Sequence, residues 1–306
     1  MSISLILGGV LFLLLVRYLF NVPVRFDDSW LDSPLTKDKS LTDSSYLLSS
    51  RVPQPDQLSQ PVCVLVHGFS ASTFEFEYFK EAVTNQTEDI LFSTVLMGGH
   101  GRDYLAFKHS TYEDWQQPVI EEVNRLIKLG YTNISLMGVS TGATVILNSI
   151  IEKKINPLNI RQLIFIDPFL FSKNKWLYLA PYLRLFVRNT RSNASKPVEY
   201  ENWHINRPIS SLVQLVKLTK QVRSNLGRRH TVEDVPLFVF SSKFDSVSDT
   251  SRTNQYLKAS FKRLNIQLTP SKHHVLIEPK AKSDWSSNDQ HQLDGVIQKI
   301  IATINQ

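Results

Sequence analysis

The sequence predicts an α/β fold: a mostly parallel sheet flanked by helices, with a small helical cap and an apolar helix at the N-terminus. Three observations carry it. Short apolar runs alternate with helical patterns from Pro61 onward, each run is sized like a buried strand and bounded by turn residues, and one run leads through a glycine-rich turn straight into a helix. Strands separated by helices need crossover connections, which leave the strands parallel and cover the sheet on both faces.

The first element is of another kind. Residues 3–16 (ISLILGGVLFLLLV) are apolar apart from one Ser and two Gly, and Arg17 then precedes Tyr18-Leu19-Phe20. About 20 apolar residues cross a bilayer, and the run reaches that length at Phe20 if Arg17 extends its charge to the interface. No basic residue precedes the run and no small-x-small site follows it, so a cleaved signal peptide does not fit. A single-pass membrane anchor over residues 1–20 is expected, the alternative being a helix docked on the protein's own core. Arg17, Arg25, Lys37 and Lys39 all follow the run, which points the rest of the chain to the cytoplasmic side. Residues 21–60 are polar and read as a linker with, at most, weak edge strands.

Residues 61–306 carry the periodic patterns. Strands are expected at 62–66, 90–96, 134–137, 163–166, 237–240 and 266–268. Helices are expected at 115–129, where Val119, Val123, Leu126 and Ile127 share a face, and at 144–155. Residues 169–231 break the rhythm. An aromatic and leucine-rich stretch from Phe169 to Phe186 is followed by a second helical pattern with Leu212, Leu215, Val216, Val222 and Leu226, and the whole reads as an inserted helical cap.

The chemistry concentrates at Gly138-Val139-Ser140-Thr141-Gly142, which follows the strand at 134–137 and precedes a helix. A bare G-x-S-x-G arises by chance in roughly one chain in ten of this length; its setting makes it informative. A sharp strand-to-helix turn pushes the serine hydroxyl out of the sheet, and side chains at the flanking glycines would collide with neighbouring backbone. A serine is a nucleophile only with a base, an orienting acid and donors for the oxyanion. In this arrangement the chain order is Ser, acid, His. The acid is expected at Asp245, on the turn after the strand at 237–240, with Asp249 as the alternative. The base is expected at His274, after the strand at 266–268, with His273 as the alternative and placed at the surface. Oxyanion donors are expected at the N–H of Thr141, next to the nucleophile, and of Phe69, in the turn His67-Gly68-Phe69-Ser70. His67 and His100 stand beside glycines and are expected to shape loops; no Cys, Asp or Glu sits at metal-ligand spacing from them.

Taken together, His67-Gly68-Phe69, Gly99-His100-Gly101, Asp114-Trp115, Gly138-Val139-Ser140-Thr141-Gly142, Phe244-Asp245-Ser246-Val247 and His274-Val275 resemble, in this order, the monoacylglycerol lipase and bacterial carboxylesterase group of α/β-hydrolases. The resemblance covers about residues 61–305. It implies an α/β-hydrolase fold with a small cap, and carboxylic ester hydrolysis by a Ser140, Asp245, His274 triad with oxyanion donors at Phe69 and Thr141. It implies neither metal nor organic cofactor. Two positions depart from the group's pattern: Thr141 stands where Met or Gln is frequent, and His273 where a small residue precedes the catalytic histidine. The first leaves the backbone donor in place; the second leaves two histidines to choose between.

The bulk numbers narrow the field. With 306 residues, 42% of them apolar, the chain is long enough for one sizeable core. Net charge is +6 with basic and acidic residues interspersed, so nucleic acid is a poor candidate partner. The lone Cys63 lies inside an apolar run, where a buried, inert thiol is expected. A cap over the serine pocket implies an apolar acyl site, hence a small-molecule ester or lipid substrate. Lys217, Lys220, Arg223, Arg228 and Arg229 form either a solvated helix face or a contact for anionic head groups. Two alternatives stay open: a thioesterase or acyltransferase using the same triad, and a non-catalytic membrane-anchored binding module. Nothing in the sequence speaks to oligomeric state.

Overall fold

The computed structural model describes residues 8, 9, 12, 46–192, 196–226 and 234–306. Eight strands lie among them: β1 (Val62–Val66), β2 (Leu91–Val95), β3 (Ile134–Val139), β4 (Gln162–Ile166), β5 (Asn189–Arg191), β6 (Asn206–Pro208), β7 (Leu237–Ser242) and β8 (Leu264–Thr269). Six form one sheet in the order β2-β1-β3-β4-β7-β8, with every neighbouring pair parallel. The helices are α1 (Glu77–Thr84), α2 (Tyr104–His109), α3 (Tyr112–Leu129), α4 (Thr141–Ile151), α5 (Ala180–Leu183), α6 (Pro197–Asn202), α7 (Ile209–Asn225), α8 (Thr250–Ser260) and α9 (Ser287–Ile304).

The apolar runs are continuous because both sides of the sheet are buried. Val62, Val64 and Val66 of β1, Ile134 and Leu136 of β3, and Leu163 and Phe165 of β4 point into one core, which α3, α4, α7 and α8 cover. Their neighbours Cys63 and Leu65, Met137 and Val139, and Ile164 and Ile166 point into the other, closed by α1 and α9. Alternation by two residues sends successive side chains to opposite faces, and each such Val, Leu or Ile buried contributes roughly 1.5–3 kcal/mol. Cys63 is fully buried and burial pushes its thiol well above the ordinary range, in keeping with an inert thiol.

The expected strands all form; β3, β4, β7 and β8 run longer than their apolar cores suggested, and β2 is one residue shorter at each end. Helix α3 starts at Tyr112 rather than 115, because Thr111 and Asp114 form a reciprocal cap at its N-terminus. Helix α4 starts at Thr141, directly after Ser140, and ends at Ile151 rather than 155. Of the expected linker, residues 46–60 are packed against the domain through two short 3-10 turns, Leu48–Ser50 and Pro55–Ser59. Leu48 is buried, and its N–H donates to Ser93 Oγ at 3.0 Å. Ser93 Oγ in turn donates to Glu122 Oε1 at 2.5 Å, and the Ser49 hydroxyl donates to the same carboxylate. The expected anchor over 1–20 and the linker residues 21–45 lie outside the described residues, apart from Gly8, Gly9 and Phe12, which are helical. Among the described residues no helix is long and apolar enough to cross a membrane.

The interruption expected at 169–231 lies between β4 and β7. It contains α5, α6 and α7, as expected of a helical cap, and also an antiparallel ribbon of β5 and β6. Arg223 is not part of a solvated face. Its guanidinium donates to the Leu170 carbonyl oxygen and lies 4.9 Å from the Phe171 ring centre, clamping α7 to the chain leaving β4. Lys217 and Lys220 are exposed; Arg228 and Arg229 lie outside the described residues.

Candidate active site

Three loops at the C-terminal ends of the parallel strands build the site. Between β3 and α4 the chain turns so sharply that Ser140 adopts φ 50° and ψ −113°, a left-handed conformation costly for any residue with a side chain. Two backbone bonds hold it, from Ser140 N to Ile166 O at 2.9 Å and from Phe169 N to Ser140 O at 3.1 Å. The glycines on either side are obligatory. A Cβ on Gly142 would lie 2.0 Å from the Val66 carbonyl oxygen, and one on Gly138 2.4 Å from the Ala143 nitrogen. The turn is thus possible only because two backbone segments pass where side chains would be.

The structure brings Ser140, His274 and Asp245 together across 134 and 29 positions of sequence. His274 Nε2 lies 2.8 Å from Ser140 Oγ, and His274 Nδ1 lies 2.7 Å from Asp245 Oδ2. Asp245 is fully buried, and its other oxygen accepts the N–H groups of Val247 at 2.7 Å and Ser248 at 3.0 Å. Burial by itself would raise this carboxyl, but the adjacent imidazole and the two N–H donors hold it below its ordinary range. Burial likewise favours neutral His274, yet the Asp245 charge and hydrogen bond outweigh it and raise the imidazole above its ordinary 6.5. A carboxylate only accepts, so Nδ1 carries the imidazole proton and Nε2 offers its lone pair to the Ser140 hydroxyl.

The two alternatives have other work. Asp249 caps α8, accepting the Arg252 N–H at 3.0 Å. His273 is buried, not a surface residue as expected, and it is the ring of His274 that reaches Ser140. The nitrogens of His273 lie 3.8 Å from Asp284 and 3.6 Å from Asp289, and its ring sits 5.2 Å from that of Trp285.

Phe69 and Thr141 both border the cavity in front of Ser140. Among the described residues, no backbone hydrogen bond within the protein uses the N–H of either. Thr141 is the first residue of α4, so its N–H is one of those a helix leaves without an internal partner. His67 shapes the turn that carries the Phe69 N–H. Its Nε2 accepts the Met97 N–H at 3.0 Å, which places the proton on Nδ1, and Nδ1 donates to the Gly68 carbonyl oxygen at 2.8 Å. That carbonyl shares a planar peptide with the Phe69 N–H, so fixing one aims the other. Burial pushes His67 down to about 4 and keeps it neutral. His100 lies with its Nδ1 3.2 Å from the Gly98 carbonyl oxygen, as a loop-shaping residue should.

The cavity has a volume of about 620 Å³. Its roof comes from the cap: Trp176, Leu177, Leu183, Ile209, Leu212 and Leu215 line it together with Ser140. Part of the apolar stretch 169–186 therefore faces the site. The rest does not: Tyr182 and Leu185 are exposed.

No protein-family model matches the sequence, and no curated protein does. Solved structures do. A structure reported with LipS and LipT, two metagenome-derived lipolytic enzymes, superposes with a TM-score of 0.65 at 15% identity, over 81% of this chain and 94% of that one. A soluble variant of the monoglyceride lipase from Saccharomyces cerevisiae, in complex with a substrate analog, gives 0.61 at 14% identity, over 81% and 87%. The monoacylglycerol lipase of Paleococcus ferrophilus gives 0.59 at 15% identity, over 80% and 96%. The chain has the α/β-hydrolase fold. At such identities the likeness is one of fold, and what the site does is argued from its own residues.

Some neighbours of the site gave no sequence signal. Asp167, after β4, accepts Ser242 N at 2.6 Å and Leu276 N at 3.2 Å, tying the acid-bearing and histidine-bearing loops to the centre of the sheet. It does so at φ 44°, while Val275, next to His274, sits at φ 60°. Burial first, and the charge of Asp245 second, raise the Asp167 carboxyl to about 6. The Lys173 ammonium donates to the Asp245 carbonyl oxygen, and Lys282 Nζ to that of His274 at 2.6 Å. An aspartate ending a strand and lysines in loops are too common to be singled out by pattern.

Proposed function

We propose that the protein is a serine hydrolase that cleaves carboxylic esters with apolar acyl groups. The observation that supports this best is the pair of hydrogen bonds, 2.8 Å from Ser140 to His274 and 2.7 Å from His274 to Asp245, opening on a cavity with an apolar roof. His274, neutral and held in the correct tautomer by Asp245, takes the hydroxyl proton as Ser140 Oγ attacks the ester carbonyl. The resulting oxyanion is met by the N–H groups of Phe69 and Thr141, at the positive end of α4. His274 then gives the proton to the leaving alcohol. Water, deprotonated by the same imidazole, releases the acid from Ser140. Replacing Ser140 by Ala is expected to lower turnover of a short p-nitrophenyl ester by about 10⁴ or more and to abolish labelling by a fluorophosphonate. Activity retained within a few-fold would refute the nucleophile.

The reading includes a membrane anchor at residues 1–20, with the hydrolase domain on the cytoplasmic side, on the strength of the apolar run and the basic residues that follow it. Membrane pelleting of chains with and without those residues tests it. Full-length protein that remains in the supernatant without detergent removes the anchor.

A further inference from the structure

Beside Ser140 the cavity wall holds a buried charged cluster that the reaction as written does not use. Glu75, on the 3-10 turn Thr73–Phe76, is 3% exposed, and its Oε2 accepts the Gly68 N–H at 2.6 Å. A Cβ built on Gly68 would lie 3.3 and 3.4 Å from the two Glu75 carboxyl oxygens and 3.4 Å from Ser140 Cβ, so carboxyl and nucleophile flank the same side of that glycine. Gly68 is therefore gripped twice, its N–H by Glu75 and its C=O by His67. Glu278 is 1% exposed. Its Oε1 accepts the Lys280 N–H at 3.0 Å, while its Oε2 is buried with no hydrogen-bond partner. Glu75, Glu278 and Lys282 line the same cavity, and the Lys282 ammonium is anchored on the His274 carbonyl oxygen.

A buried carboxylate oxygen without a donor is expensive, and two neighbouring carboxylates resist ionising together. Keeping Glu278 protonated lowers both costs. We propose that Glu75 and Glu278 act as an electrostatically coupled carboxyl pair, offset by Lys282, that positions the Gly68-Phe69 turn to receive the oxyanion. The proposal rests on the serine-hydrolase reading, and the two residues are positioning groups acting through the turn.

The charges around the pair give the sign of a pH effect. Glu75 feels Lys282 and His274; Glu278 feels Glu75, Lys280 and Lys282; Lys282 also feels Asp167 and Glu199. Burial outweighs the lysines and raises both carboxyls to about 7. Below that pH the pair holds at least one proton, and Lys282 balances whichever carboxyl is still ionised. Above it the proton leaves to solvent, the two carboxylates repel, and an additional negative charge stands beside the forming oxyanion. Turnover falls on the alkaline side.

The test combines kcat profiles across pH, on a short aryl ester, with the Gly68 amide proton resonance of the full chain. In the wild type kcat declines through an alkaline limb, and the Gly68 amide titrates with the same midpoint near neutrality. Glu278→Gln supplies a permanent donor in place of the proton. It moves the limb up by at least one pH unit and flattens the Gly68 titration. Glu75→Ala lowers kcat by about 10- to 100-fold, approaching the loss of an oxyanion donor, with KM changed much less; Glu75→Gln, which still accepts from Gly68, recovers most of it. A limb and a Gly68 titration unaltered in Glu278→Gln, or Glu75→Ala within twofold of wild type, overturns the proposal. A wild-type chain inactive on esters whose Gly68 amide still titrates would count against the hydrolase reading and leave the carboxyl pair standing.

Discussion

The Ser140 turn and the cap border one cavity and are held in opposite ways. Around Ser140 nothing has room to give: every residue of α4 is buried, and the flanking glycines lie against backbone atoms. The cap is held through α7, whose Leu215, Leu218 and Val222 join the core, and by polar contacts at its edges. Ser210 and Ser211 donate to the carbonyl oxygens of Lys108 and Phe107 at 2.7 and 2.8 Å, and Arg223 clamps α7 to Leu170 and Phe171. Meanwhile Trp176 is 69% exposed and Tyr182 71%. Geometry that must be right to a fraction of an ångström is over-determined by rigid backbone, whereas the surface proposed to select an acyl chain rests on side chains that can repack.

The sharpest way to break this contrast is Asp245→Asn, which alters one atom and leaves both regions packed. The amide can turn its NH₂ toward His274 Nδ1 and trap the wrong tautomer, so kcat is expected to fall by about 10⁴, by the same factor for short and long acyl chains. A second consequence has a defined sign. The Asp245 charge and hydrogen bond are what raise His274 above 6.5 against burial. The wild-type acid limb of kcat/KM therefore lies above that value, and in the variant it moves to lower pH. A loss below about tenfold, or an acid limb that stays put, would mean the imidazole is oriented by something else.

Next in size is Gly142→Ala. The new methyl would stand 2.0 Å from the Val66 oxygen and 2.6 Å from that of His67, both backbone. Overpacking ordinarily costs about 1–3 kcal/mol; here neither partner can rotate away, so a loss at or above the top of that range is expected. Against a total stability of about 5–15 kcal/mol, thermal denaturation should show a large drop in midpoint, or no folded protein at all. A Gly142→Ala chain with wild-type melting would show that the turn has slack after all.

The same contrast explains what could be read from the sequence. The turn is encoded locally: two glycines, a strand before and a helix after, so Ser140 and its setting were legible in a few residues. The sheet was legible because burial on both faces makes apolar runs. Helix α3 begins three residues before the apolar pattern does because Asp114 caps it in place of the more usual Glu or Gln. Residues 46–60 read as linker since what docks them is one leucine and a hydrogen-bond relay through Ser93 to Glu122, on a strand and a helix far away in sequence. Strands β5 and β6 have three residues each, too few for an alternating pattern. The burial of His273 is set by a contact with Trp285, in a loop without periodicity.

Arg223→Met tests how loosely the cap is held. It keeps the aliphatic stem on Phe171 but removes the bond to the Leu170 carbonyl oxygen, a charge-assisted contact worth about 1.5–3 kcal/mol. A cap hinged chiefly on this residue would lose that much stability, with kcat on a short ester nearly kept and KM for a long-chain ester raised several-fold. A melting midpoint equal to wild type would shift the anchoring to Ser210 and Ser211.

The smallest effect is expected at Trp176, which lines the cavity with one edge and shows most of its surface to solvent. Truncation to Ala removes little buried area, so stability should change by less than about 0.5 kcal/mol. Hydrolysis of an acetate ester, too short to reach the roof, should stay within twofold. Each methylene that loses contact with the indole forfeits up to about 0.8 kcal/mol, so a dodecanoate ester should lose a few-fold in kcat/KM by way of KM. An equal loss on both esters would place Trp176 in the framework of the turn, and the division between rigid chemistry and pliable selection would fail at the roof.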